Sequence, residues 1–203
     1  MMMGSLVRAT LVVALISVSL VGCKTTPRAA AGPTPSGPWE TRRAALQQHD
    51  HFDLSGRIAV AAASEGFNAK LRWKQQGAHS NLSLDGPLGV GGVKITADGS
   101  SLKVIDSHGK QLDSDAARDE MNAKLGFEPP LASLRYWVLG VPDPARPADE
   151  VLDEQQRLAS LRQDGWQIDY ADYATVAGQW RPSKLTLKRD DVRVRLLVDG
   201  WGS

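Results

Sequence analysis

The chain has 203 residues and a single cysteine, Cys23, so its one thiol can form no internal disulfide and can serve only as a nucleophile or an attachment point. Four histidines are the other candidates for chemistry. His49 and His51 stand two apart with Asp50 and Asp53 beside them, a spacing that would suit a weak metal site, but no distant Cys or His cluster completes a tetrahedral set. His79 and His108 sit in polar, loop-like stretches with no flanking motif, whereas a nucleophilic hydrolase needs a positioned base. Paired carboxylates such as Asp190-Asp191 and Asp119-Glu120 read as turn and helix-surface charges. The glycine-rich run GPLGVGGVK, from Gly86 to Lys94, lacks the Gly-Lys-Ser/Thr ending of a phosphate cradle and lies among strands rather than before a helix. The expectation is a protein with no catalytic residue, no metal and no cofactor.

Cys23 has a more specific context. Met1 to Arg8 is weakly positive, and Ala9 to Gly22 (ATLVVALISVSLVG) is continuously and mostly apolar. That run is too short for a bilayer core, which needs about 20 helical residues, so it reads as the apolar part of a secretory signal. Leu20-Val21-Gly22-Cys23 resembles a bacterial lipobox, in which the signal is cut before the cysteine and the cysteine is lipidated. Residues 1–22 are then a lipoprotein signal peptide, and lipid on Cys23 is the only covalent group expected. Lys24 follows in place of the aspartate that retains lipoproteins at the inner membrane of enteric bacteria, which points to the outer membrane. Loss of Arg8 with the signal leaves 23 basic side chains against 23 acidic ones, a balance that argues against nucleic acid as a partner.

The elements that position these residues divide the chain simply. Residues 23–38, CKTTPRAAAGPTPSGP, are without apolar periodicity and read as the lipidated cysteine followed by a flexible tether. Residues 39–203 form one domain with enough chain for a substantial core. Trp39 to Gln48 has helix-forming composition. Beyond it the period becomes two: Phe67, Ala69, Leu71 and Trp73 alternate with Asn68, Lys70, Arg72 and Lys74, as a strand with one buried and one wet face must. The pattern returns at Leu82 and Leu84, Val93 and Ile95, Leu102 and Val104, Trp166 to Tyr170, Leu185 and Leu187, and Val192 to Val198. Asp85-Gly86, Asp98-Gly99 and Asp164-Gly165 mark reversals between such strands. Two helices interrupt the series, one from Ser114 toward a stop at Gly126 and one after Pro129-Pro130, with Leu131, Leu134, Trp137 and Val138 on a single face. The fold class is mainly β with added helices: a curved antiparallel sheet with helices across its opening. Such a sheet could enclose a lipid-sized cavity, and the same alternation also fits an ordinary filled core.

An ordered set of motifs then carries a family resemblance. Gly56-Arg57-Ile58-Ala59-Val60, Leu71-Arg72-Trp73, Gly86-Pro87-Leu88-Gly89, Leu134 to Gly140 with Pro142, Gln163 to Trp166 with Tyr170, and Trp201 follow one another as in the LolB family of outer-membrane lipoproteins, over essentially the whole chain after Cys23. The chain differs from better-studied members in its longer Pro-rich tether and its short Asp190-Asp191 turn. The resemblance implies an incomplete antiparallel barrel of about eleven strands with helices covering its mouth. It also implies a non-enzymatic role, that of accepting cargo lipoproteins from the soluble periplasmic carrier LolA and inserting them into the inner leaflet of the outer membrane. The partners are thus LolA, cargo lipoproteins and outer-membrane phospholipid, with a monomer expected. The physics is consistent with this, since each acyl methylene left in water costs about 0.8 kcal/mol and an acyl chain therefore needs an apolar container. The alternative is a structural or assembly lipoprotein of the envelope without a ligand cavity.

Two sets of residues follow. Period-two phase nominates Leu71, Trp73, Leu82, Leu84, Ile95, Trp137, Tyr170, Leu185 and Leu196 as the acyl-chain wall. The stretch LDGPLGVGG puts a bare leucine in a turn-forming run, where exposure forgoes roughly 1.5–3 kcal/mol of burial. Leu88 must therefore tuck back or enter something outside the body, and the family resemblance assigns Pro87, Leu88 and Gly89 to a protruding membrane-insertion loop.

Overall fold

The computed structural model describes residues 38–62, 65–86, 92–99, 101–125 and 127–202. The signal, Cys23, the tether and the Pro87-Leu88-Gly89 tip lie outside the described residues, as does the expected helix stop at Gly126.

Eleven antiparallel strands form one open sheet. After helix α1 (Trp39–Gln47), the strands β1 (His51–Ala62), β2 (Glu65–Gln76), β3 (His79–Asp85), β4 (Val93–Asp98), β5 (Ser101–Ile105) and β6 (Gln111–Asp113) meander in one direction. Helices α2 (Ser114–Leu125) and α3 (Leu131–Trp137) then carry the chain to the far edge. From there β7 (Asp149–Leu152), β8 (Leu158–Gln163), β9 (Trp166–Val176), β10 (Gln179–Arg189) and β11 (Val192–Gly202) meander back. Pairing of β11 with β1 joins the two halves, so the spatial order is β6 to β1 followed by β11 to β7. The edges β6 and β7 do not pair with each other, which leaves the barrel incomplete.

The alternation read from sequence matches the observed faces. Ala69, Leu71 and Trp73 on β2, Leu82 and Leu84 on β3, Ile168 and Tyr170 on β9 and Val192, Val194 and Leu196 on β11 are all buried, while Lys70, Arg72, Arg193 and Arg195 are exposed. Local devices bend this sheet. Between Ser55 and Gly56 the β1–β11 register shifts, and a Cβ at Gly56 would lie 2.3 Å from the Leu197 carbonyl oxygen, so only glycine permits that strand approach. Asp164 (φ 54°) and Gly165 (φ 77°) take successive left-handed conformations, which makes the tight β8–β9 reversal compatible with strand twist.

Helix α1 is secured to the far edge. The Trp39 indole N–H donates to Glu150 Oε2 at 2.7 Å, and Arg43 reaches Glu150 Oε1 at 2.7 Å. Among the described residues no helix is long and apolar enough to cross a membrane.

Candidate functional site

Inside the curve of the sheet lies a void of about 80 Å³. Its wall comes from inward side chains of the central strands: Leu71 and Trp73 from β2, Leu82 and Leu84 from β3, Ile95 from β4, and Ile58, Val60, Val194 and Leu196 from β1 and β11. Cross-strand register explains why these meet, since Leu71 pairs with Leu84, Trp73 with Leu82, and Leu82 with Ile95. The cover is the segment leading into α3 together with the inward face of that helix, with Phe127, Pro129, Pro130, Leu131, Leu134 and Val138 against the void. Nothing charged, and no hydroxyl or amide side chain, lines it. The one polar group on Trp73 is accounted for, because its indole N–H donates to buried Gln75 at 3.0 Å and Gln75 also accepts from Ser80 at 2.5 Å. That leaves the hydrocarbon face of Trp73 for the void.

Six of the nine residues nominated as cavity wall therefore meet around this space: Leu71, Trp73, Leu82, Leu84, Ile95 and Leu196. Trp137, Tyr170 and Leu185 are buried as well but do not line this void. Around Trp137 the chain is cross-bonded. The Trp137 indole donates to Gln163 Oε1 at 2.7 Å, the Asp143 amide donates to the same oxygen at 2.9 Å, and Gln163 Nε2 donates to the Asp143 and Arg146 carbonyls, each at 3.0 Å. Ser133 of α3 donates to Asp143 Oδ2 at 2.7 Å, and the Tyr170 hydroxyl donates to the Trp137 carbonyl at 3.0 Å. Burial pushes the Tyr170 hydroxyl well above its ordinary pKa and Tyr173 above it too, so both phenols stay neutral hydrogen-bond donors.

The result is a cover fixed at one end. At its C-terminal end α3 runs into Trp137, Val138, Leu139 and Val141, all almost fully buried, and Arg135 donates to the Gly77 carbonyl at 3.1 Å, tying the helix to the β2–β3 turn. At its N-terminal end Pro130 is the cap, with no side-chain hydrogen bond, and Leu131 and Leu134 are only half buried. The buried glutamines, Gln75 and Gln163, were not legible as such from sequence; each is flanked by turn residues and reads as a loop polar group.

The histidines stand apart from this interior. All four are exposed; His51 Nδ1 lies 2.6 Å from Asp50, His79 3.2 Å from Asp98, and His108 3.9 Å from Asp106. Among the described residues no three His, Cys, Asp or Glu side chains gather as a metal site would require.

An open antiparallel half-barrel with a helical cover over an apolar interior is the class this architecture defines. Two solved structures share it at the level of fold: a DUF1329 family protein from Desulfovibrio piger (TM-score 0.53, 7% identity, 80% of this chain and 89% of that one) and a domain described as an outer membrane lipoprotein-sorting protein from Vibrio parahaemolyticus (TM-score 0.50, 8% identity, 81% and 90%). The sequence is more specific. The family described as outer membrane lipoprotein LolB matches residues 50–201, and the chain belongs to that family. Curated relatives named outer-membrane lipoprotein LolB include one from Nitrosococcus oceani, 32% identical over 91% of this chain and 92% of its own, and one from Pseudomonas aeruginosa, 33% identical over 90% of each. By family the protein is an outer-membrane lipoprotein of a Gram-negative bacterium.

Proposed function

We propose that the protein accepts lipoproteins from the periplasmic carrier LolA and inserts them into the inner leaflet of the outer membrane, acting without catalysis, nucleotide or cofactor beyond the lipid on Cys23. The observation that carries this reading is the wholly apolar void beneath the α3 cover. A space of about 80 Å³ amounts to only a few water-sized volumes, far short of a myristoyl-length chain. Loading must therefore displace the cover, and the segment from Pro129 to Leu131, which has no side-chain cap and precedes the Ser133–Asp143 bond, is the part with least holding it. Acyl chains enter between the cover and Leu71, Trp73, Leu82, Leu84, Ile95 and Leu196. Transfer needs no energy source if this container binds acyl chains better than the carrier does and the bilayer binds them better still.

In the same reading Cys23 anchors the body through the 23–38 tether, and Leu88, presented by Pro87 and Gly89, enters the leaflet to serve release. The test is transfer of a labelled lipoprotein from its carrier to the purified protein in the absence of nucleotide. Uptake followed by delivery to liposomes supports the proposal, and failure of uptake by a folded protein overturns it. Leu88→Glu should still take cargo from the carrier but deliver it poorly; normal delivery by that variant removes the loop from the mechanism.

A further inference from the structure

The outer face of the same strands carries a feature the cavity does not explain. The alternation that turns Leu71 and Leu196 inward turns Arg57 on β1, Lys70 and Arg72 on β2, Lys184 on β10 and Arg195 on β11 outward, around a groove of about 1210 Å³ in which Asp85 is the only carboxylate. Arg57 is matched by Asp199 at 2.8 Å and Arg72 by Asp85 at 2.7 Å. Among the described residues Lys70, Lys184 and Arg195 have no carboxylate at ion-pair distance. A second groove on this face, about 570 Å³, shares Arg72 and adds Lys74 and Lys94 together with Asp53, the cross-strand neighbour of Lys74.

Leu197 sits in the middle of these cations. It is 37% exposed, and only Val151 is another exposed large apolar side chain among the described residues. Its cross-strand neighbours are Arg57 on one side and Lys184 on the other. Unpaired like charges repel, and a leucine in water forgoes burial, so the arrangement is unfavourable in solution on both counts. Both penalties are relieved at a surface that offers phosphate outside and hydrocarbon just beneath. The patch also begins where the membrane-insertion loop is rooted: Lys70 pairs in register with Asp85, the last residue of β3, and Lys94 is the second residue of β4.

We propose that this outer face is a platform for anionic phospholipid headgroups, with Lys70, Lys184 and Arg195 binding lipid phosphates while Leu197 enters the interface shallowly. It rests on the reading that the loop bearing Leu88 meets the bilayer, and it would lay the outer face of β1, β2, β10 and β11 along that leaflet. An acidic protein could pair the cations, but it would have to occupy a face adjoining the loop that the proposed function assigns to lipid.

The test uses the Cys23→Ala chain, exported behind another signal, so that no acyl anchor contributes, and measures co-sedimentation with phosphatidylcholine vesicles with and without phosphatidylglycerol. Binding should require phosphatidylglycerol and weaken with salt. Lys70→Glu, Lys184→Glu and Arg195→Glu together should lower it more than about a hundredfold, because losing three basic residues at about 1 kcal/mol each near an anionic surface already amounts to that and the added carboxylates repel the surface, with uptake from the carrier retained. The corresponding Gln triple variant, which adds no negative charge, should show a smaller loss in the same direction. Unchanged binding by the Glu variant overturns the proposal, as does equal binding of the parent chain to neutral vesicles. Loss of carrier uptake with vesicle binding intact also overturns it and makes the face a protein-docking surface. Leu88→Glu keeps the two claims separate: normal delivery by that variant removes the loop reading, whereas unchanged vesicle binding by the triple Glu variant removes the platform alone.

Discussion

Around Gln163 the buried side chains are cross-bonded, whereas between Leu84 and Leu134 they face a void. At the first place one glutamine side chain holds Trp137, Asp143 and Arg146 together, and Tyr170 closes the back of Trp137. At the second, aliphatic side chains face a void across which nothing is hydrogen-bonded. The two regions share one sheet face and one helix, so the difference between them lies in what each is asked to do. A hydrogen-bonded knot has one arrangement and resists change, because breaking it leaves buried polar groups unpaired. An apolar boundary with slack can part and re-close around a ligand at the cost of dispersion contacts alone. In the proposed mechanism the cross-bonded end is the fixed point and the other is the part that opens.

The comparison is broken most forcefully at the fixed end. Trp137→Ala removes a fully buried indole and strands Gln163, so it should cost about 3–5 kcal/mol and leave a protein largely unfolded in a denaturant titration. A loss below about 1 kcal/mol on that scale would mean that the knot holds nothing. Gln163→Leu should be the next most damaging, by about 1–3 kcal/mol, because the Trp137 N–H and the Asp143 amide both lose their acceptor.

At the opening end the expected effects move from stability to binding. Leu84→Glu puts a charge into the void wall, so a fluorescent fatty acid should no longer bind to the folded protein. Binding unchanged in a folded variant would take Leu84 out of the wall. Arg135→Ala removes one of the ties at the fixed end of α3 and should raise hydrogen exchange along the helix, more at its half-buried start than at Trp137, which the bond to Gln163 still holds. Uniform exchange along α3 would contradict a hinge at its C-terminal end.

The smallest effect concerns pH. Burial raises the Tyr170 and Tyr173 hydroxyls, so the folded state prefers the neutral phenols. That contribution is fully present below about pH 10, the value of a free phenol, and is lost as pH rises toward the folded-state values. Stability should therefore fall in alkaline solution above about pH 10, and Tyr170→Phe with Tyr173→Phe should flatten the decline.

Much of this was legible in the chain. Strand β2 declares itself because Leu71 and Trp73 alternate with Lys70, Arg72 and Lys74, and α3 because Leu131, Leu134 and Val138 recur at helical spacing behind two prolines. Strand β1 is harder to see: Ile58-Ala59-Val60-Ala61-Ala62 is apolar on both faces, which blurs the period although this strand is central. On β8 the buried residues Leu158 and Leu161 are three apart, opposite a register shift at Val151/Leu152, so no period of two appears. The site was legible in phase but not in position. Alternation told that Tyr170 and Leu185 point inward as Leu84 does; it could not tell which inward residues meet a void and which meet one another. That depends on where Gln163 gathers its partners, a contact between distant parts of the chain with no local signature.

The division of the interior is tested most directly by photo-crosslinking. A lipoprotein bearing a photoactivatable group on an acyl chain is transferred from the carrier to this protein, and the adducts are mapped by mass spectrometry. Adducts on the void wall and the cover, at Leu71, Leu84 and Leu134, are the predicted result, with none at Tyr170 or Leu185. Adducts concentrated at Tyr170 and Leu185 would contradict the account, because the acyl chain would then occupy the end of the interior assigned to holding the fold.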